Sequence, residues 1–114
     1  MGINFRMRVS FGLGALAAAA LMMAPAAAQK KSDPAKGKAV FEQCAVCHNA
    51  ESTEKKMGPG LKGLFKRPKL KNGKNVTEPN VLSVINAGGN GMPPYSEMLS
   101  AEEKDNLLAY LKSL

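Results

Sequence analysis

The spacing of apolar residues along this 114-residue chain predicts a first helix that begins near residue 34. Asp33-Pro34 is typical of a helix start, with Asp33 as the N-cap and Pro34 at the first helical position. The small and apolar residues that follow recur at intervals of three and four, which places them on one helical face: Gly37, Val40, Phe41 and Cys44. This face predicts a helix that runs directly into the segment beginning at Cys44.

Two further helices are predicted towards the end of the chain. The first extends from Pro79 to Ala87, carries four branched apolar residues and ends at a Gly-Gly pair, which is a typical helix stop. The second begins at Ser100, which precedes Glu103 by three residues as in a capping box. Its apolar face comprises Leu107, Leu108, Leu111 and Leu114. No segment alternates apolar and polar residues for long, so we expect an all-α domain without a sheet.

The beginning of the chain has the pattern of a secretory signal peptide. Arg6 and Arg8 precede an uncharged, Ala-rich run over residues 9–24, and the alanines at 26–28 form an A-x-A cleavage site before Gln29. The uncharged run is 16 residues long, which is shorter than the roughly 20 apolar residues that span a bilayer. We therefore expect export to the periplasm and cleavage, with no stable membrane insertion afterwards.

Cleavage divides the chain into three parts: residues 1–28 as the signal peptide, 29–33 as a short lead-in, and 34–114 as one domain. The exported chain has 86 residues, with 14 basic and 9 acidic side chains, a net charge of +5, and four aromatic residues. A chain this short and this poor in aromatic residues is marginally stable alone. It therefore requires a disulfide, a metal or a large cofactor.

The motif Cys44-Ala-Val-Cys47-His48 supplies chemistry for such a group. A structural zinc site usually needs four Cys or His ligands, and these three are the only ones in the chain. A redox-active C-x-x-C pair needs a strand–helix context, and no strand is predicted before Cys44. The spacing C-x-x-C-H is that of haem c attachment, in which both cysteines form thioethers and the histidine binds the iron. We favour haem and keep a non-haem thiol protein as a rival interpretation.

The second axial ligand is predicted to be a methionine, because the chain has no second histidine and a thioether is a soft ligand for haem iron. Met57 follows His48 by only nine residues, which is too near to reach the other haem face. Met98 is expected to pack in the core. Met92 lies in the sequence Gly-Gly-Asn-Gly-Met-Pro-Pro, where glycines allow close approach to a flat ring and prolines stiffen the chain. We therefore predict Met92 as the ligand.

With these motifs, the chain resembles class I c-type cytochromes, which are small soluble monohaem electron carriers. The resemblance covers nearly all of residues 34–114 and implies three to four helices wrapped around one covalently attached haem c. It implies that the Pro59 carbonyl accepts a hydrogen bond from His48, that Arg67 contacts a haem propionate, and that the last helix crosses the first near Gly37. The chain has no Trp, so the tryptophan–propionate hydrogen bond of some members is missing.

The resemblance implies a one-electron carrier rather than an enzyme. The alternative is a haem protein with an open sixth site and weak peroxidase or gas-binding activity. A cluster of six basic residues without an acid suggests a redox partner protein with an acidic surface, bound by a monomer. Nucleic acid is not an expected partner, because the chain is exported and lacks aromatic residues for stacking. The basic cluster named above comprises six residues: Lys62, Lys66, Arg67, Lys69, Lys71 and Lys74.

Overall fold

Three α-helices and one 3₁₀-helix form the regular structure of residues 31–114, which together with Gly12 and Gly14 are the residues that this computed structural model describes. The predicted signal peptide, apart from those two glycines, lies outside the described residues. Within the described part no strand occurs, which confirms the all-α prediction, and no helix is long and apolar enough to cross a membrane. The helices are α1 (Pro34–Phe41), the 3₁₀-helix (Leu64–Lys66), α2 (Glu78–Ala87) and α3 (Ala101–Lys112).

Side-chain caps begin the three α-helices. The Asp33 carboxylate accepts hydrogen bonds from the first turn of α1, as predicted. At α3, Ser100 and Glu103 form the predicted capping box, with reciprocal bonds of 2.8 and 3.1 Å. Thr77 caps α2, so this helix begins at Glu78, one residue before the predicted start at Pro79. The caps fix where the helices begin and thereby which residues reach the core.

Helix α1 ends before the cysteine motif, so the prediction of a helix running directly into it was wrong. After Phe41 the backbone continues in tight turns, in which the Cys44 N–H donates to the Phe41 carbonyl at 2.7 Å and the Cys47 N–H to the Cys44 carbonyl at 3.1 Å. These bonds join residues three apart and wind the chain more tightly than an α-helix. The His48 N–H still bonds four residues back, to Cys44 at 2.9 Å.

Packing of α1 against α3 forms the centre of the domain. Gly37 is buried, and a Cβ atom there would overlap the Asn106 carbonyl oxygen, so only glycine allows the two backbones this close. Phe41 and Tyr110 extend the contact, with ring centroids 5.3 Å apart. This crossing confirms the expectation from the resemblance. The buried apolar core consists of Phe41, Leu64, Val81, Ile85, Tyr95, Leu99, Leu107, Leu108 and Leu111.

Met98 does not pack in this core, contrary to the sequence-based expectation. Its side chain is 59% exposed, whereas the next residue, Leu99, is only 7% exposed. The N–H groups of both residues donate to the Tyr95 carbonyl, at 3.2 and 3.3 Å, which turns the chain just before α3. The turn directs Leu99 inward and leaves Met98 on the surface.

Candidate haem site

A single cavity brings together the two predicted axial ligands. It has a volume of about 590 Å³, and both His48 and Met92 line it. This volume lies in the range of about 300–1,000 Å³ that is usual for ligand and cofactor sites. The imidazole of His48 and the thioether of Met92 are ligands that suit haem iron, and the apolar walls suit a flat macrocycle. The apolar walls come from Leu61, Leu64, Leu70, Val81, Val84, Ile85 and Leu111.

The segment Gly58-Pro59 holds the His48 ring on two sides. The Nδ1 atom of His48 lies 2.8 Å from the Pro59 carbonyl oxygen. Because a carbonyl can only accept, Nδ1 carries the proton, which leaves the Nε2 lone pair free for a metal. Gly58 packs against the ring face, since a Cβ atom there would lie 2.5 Å from Cε1 and 3.0 Å from Nε2. The Gly58 N–H also donates to the Cys47 carbonyl at 2.8 Å, which fixes this segment beside the motif.

Gly58→Ala is expected to displace the His48 ring, because the added methyl group would overlap it. In the holoprotein this change should shift the electron paramagnetic resonance signals, which depend on the orientation of the imidazole plane, and should alter the reduction potential. Gly63→Ala is the matched control, since a Cβ there meets nothing within 4 Å and only its φ of +68° is strained. Identical spectra and potentials for Gly58→Ala and the wild type would contradict the steric role of Gly58.

The two cysteines of the motif, Cys44 and Cys47, are both half-buried. Burial raises the pKa of the Cys44 thiol above its ordinary value, and the neighbouring Cys47 raises it further. Redox-active C-x-x-C pairs have the opposite property, a lowered thiol pKa that provides the reactive thiolate. In the described residues no strand precedes Cys44 either. Both observations argue against a thiol-redox site.

Met92 is presented by a tight turn with positive φ at both central residues. Asn90 and Gly91 have φ angles of +53° and +89°, as in a type I′ turn. The backbones of Gly89 and Met92 close the turn with reciprocal hydrogen bonds of 2.9 and 3.0 Å. Of Gly88, Gly89 and Gly91, only Gly88 packs closely against other backbone atoms. A Cβ atom at this position would lie 2.7 Å from the carbonyl carbon of Pro93. The glycines thus shape the turn that directs Met92 to the cavity.

The other two methionines of residues 31–114 do not line the cavity. Met57 is 78% exposed, and its Sδ atom lies 3.9 Å from Cys47 Sγ. Met98 is 59% exposed, at the turn before α3. The structure therefore separates the three methionines by their position relative to the cavity, which only Met92 lines.

Arg67 lines the cavity and is half-buried. Its Nη2 atom donates to the carbonyl oxygens of Gly60 at 2.9 Å and Lys62 at 2.7 Å. The resemblance implied a propionate contact for this residue. The structure adds a second role, because the guanidinium closes the loop that follows Pro59.

Sequence reasoning missed Tyr95, which is 7% exposed and lies just beyond the two prolines. Its N–H donates to the Ile85 carbonyl at 2.9 Å, so it joins the methionine turn to α2. Burial raises the pKa of its phenol above the ordinary value, and Cys44 and Cys47 raise it further. The only signal in the sequence is an aromatic residue directly after Pro-Pro.

Comparison with known proteins shows similarity at three levels: a family model, a curated relative and a solved structure. A family model described as Cytochrome c matches residues 34–114. Cytochrome c2 of Blastochloris viridis is 49% identical over 61 residues, which are 53% of this chain and 43% of that relative, so the match spans less than half the relative's length. Among solved structures, cytochrome c6 from the diatom Phaeodactylum tricornutum is similar, with a TM-score of 0.57 and 27% identity over 72% of this chain and 93% of the diatom chain.

Proposed function

The chain belongs to the cytochrome c family, and from this premise we propose that it is a one-electron carrier with His48 and Met92 as axial ligands. Family members carry covalently attached haem c, so haem c is the cofactor, and Cys44 and Cys47 are its attachment points. The observation that carries the proposal is that His48 and Met92, 44 positions apart in the chain, line one cavity.

The side chains around the cavity suit this role. When bound, haem c supplies the one-electron Fe(III)/Fe(II) couple. His48 offers its Nε2 lone pair, because Nδ1–H is donated to Pro59. Met92 offers a soft thioether, which favours Fe(II) and raises the reduction potential. The apolar walls exclude water and disfavour the additional positive charge of Fe(III). If His48 and Met92 both hold the iron, no substrate needs to bind it, and catalysis is not expected.

The basic cluster supports electron exchange with a partner protein that carries an acidic surface. Its five lysines are exposed, whereas Arg67 is half-buried and bonded to the loop. Exposed like charges create a positive field that accelerates encounter with an acidic partner and weakens as salt is added. Together with the signal-like sequence at residues 1–28, this supports a carrier that works in the periplasm between redox proteins.

Three measurements on protein purified from the periplasm test the proposal. A pyridine haemochrome spectrum should show haem c, and the intact mass should equal that of residues 29–114 plus one haem. The dithionite-reduced protein should resist carbon monoxide, because Met92 occupies the sixth position. Rapid binding of carbon monoxide by native protein would favour the open-site alternative. Colourless protein, or haem extracted by acidified acetone, would contradict covalent attachment altogether.

A further inference from the structure

Segment 93–99 joins the turn that presents Met92 to the start of α3. It contains no helix, and its first two residues are prolines, which have no N–H to donate. Among the described residues, only two hydrogen bonds connect this segment to the helices on either side of it. The position of the chain directly after Met92 therefore depends on a small number of contacts.

The two hydrogen bonds fix neighbouring residues to different helices. The Tyr95 N–H donates to the Ile85 carbonyl of α2 at 2.9 Å. The Lys104 ammonium of α3 donates to the Ser96 carbonyl at 2.8 Å. Because the proline pair between Met92 and these residues is stiff, movement of Met92 away from the cavity displaces the segment and strains both bonds.

Lys104 differs from the other lysines of residues 31–114. It is half-buried, whereas every other lysine in this range is exposed. A lysine whose apolar stem packs on the protein loses side-chain freedom, so its ammonium group is directed to one place. For Lys104 that place is the carbonyl of Ser96, eight positions earlier in the chain. A charged donor makes this hydrogen bond stronger than one between neutral groups.

We propose that Lys104 is a positioning residue that holds Met92 at the sixth position of the haem iron. This inference rests on the proposed function and adds a group that controls how firmly the sixth ligand is held. Lys104 does not line the cavity, so it acts only through segment 93–99. An external ligand reaches the iron only when Met92 moves away, and fewer bonds to the segment lower the free energy of that local opening.

Lys112 provides a comparison within the same helix. Its ammonium donates to the Glu78 carboxylate at 3.0 Å and thereby joins α3 to α2. This ion pair has no bond to segment 93–99. A general loosening of α3 should therefore follow from removal of either ammonium group, whereas release of Met92 should follow only from removal of the one on Lys104.

Lys104→Met and Lys112→Met test this inference as a matched pair. Each keeps an unbranched side chain and removes one ammonium group. Binding of imidazole to the ferric holoprotein is followed by stopped flow at saturating imidazole, where dissociation of Met92 limits the rate. We expect Lys104→Met to raise this rate by about fivefold or more, which corresponds to the loss of one hydrogen bond. Lys112→Met should keep the wild-type rate, and Lys104→Arg should restore it, because arginine retains a cationic donor.

Hydrogen exchange in the reduced holoprotein, measured by NMR, provides a second readout of local opening. The amides of Met92 and Tyr95 should exchange faster in Lys104→Met, whereas the Gly58 amide, which donates to Cys47, should keep its wild-type rate. Equal imidazole rates and equal Tyr95 exchange in the two methionine variants would overturn the inference and leave the carrier function intact. A wild-type ferric protein without the charge-transfer band of a thioether–iron bond would overturn the proposed ligation and this inference together.

Discussion

Met92→Ala is expected to lower the reduction potential strongly and to allow carbon monoxide to bind the reduced protein. The thioether of Met92 favours Fe(II), so its removal takes away the ligand that raises the potential. The turn that presents it is closed by backbone bonds between Gly89 and Met92, which an alanine retains. The fold should therefore survive, and the change should be confined to the sixth position. Spectroelectrochemical titration and a carbon monoxide difference spectrum measure both effects.

Met57→Ala and Met98→Ala are the matched controls for this experiment. Both remove the same side chain, and both residues are largely exposed and outside the cavity lining. Each should keep the wild-type potential and the resistance to carbon monoxide. If Met92→Ala retained the wild-type potential while Met57→Ala lost it, the ligand would be Met57, whose sulfur already lies 3.9 Å from Cys47 Sγ.

The parts of the fold that local chemistry determines could be predicted from the sequence. Asp33 and Ser100 begin helices because their side chains reach N–H groups only two or three residues away. The end of α1 could not be predicted, because residues three apart, such as Phe41 and Cys44, lie on one side of both an α-helix and a tighter turn. The exposure of Met98 also depends on a turn, set by the Tyr95 carbonyl, that periodicity does not describe.

The site shows the same division between local and long-range information. His48 and Met92 could be named because each stands in a short, distinctive motif. The packing of Gly58 on the His48 ring and the hydrogen bond from Tyr95 to Ile85 depend on segments that meet only in the folded chain. The basic residues around Lys71 formed one charge cluster in the sequence. Only the structure separates those that line the cavity from those that face solvent.

His48→Ala is expected to prevent the holoprotein from accumulating. The imidazole supplies the ligand on the side of the attachment motif, and Gly58 and Pro59 contact it from two directions. Its removal therefore deletes both an iron ligand and the packing partner of the loop. Loss of a residue that only orients a metal ligand costs about 10–100-fold in affinity. Loss of the ligand itself should reduce the yield of haem c protein by more than about tenfold.

Haem absorbance per total chain, the latter quantified by immunoblot, measures the effect of His48→Ala. Gln43→Ala, at an exposed neighbouring position, should keep the wild-type ratio. Pro59→Ala retains the carbonyl that accepts from Nδ1 and should give normal yield with a small change in potential. A His48→Ala protein with wild-type haem content and an unchanged ligand spectrum would show that another group binds the iron. If only His48→Ala loses its haem, the imidazole is the ligand on which maturation depends.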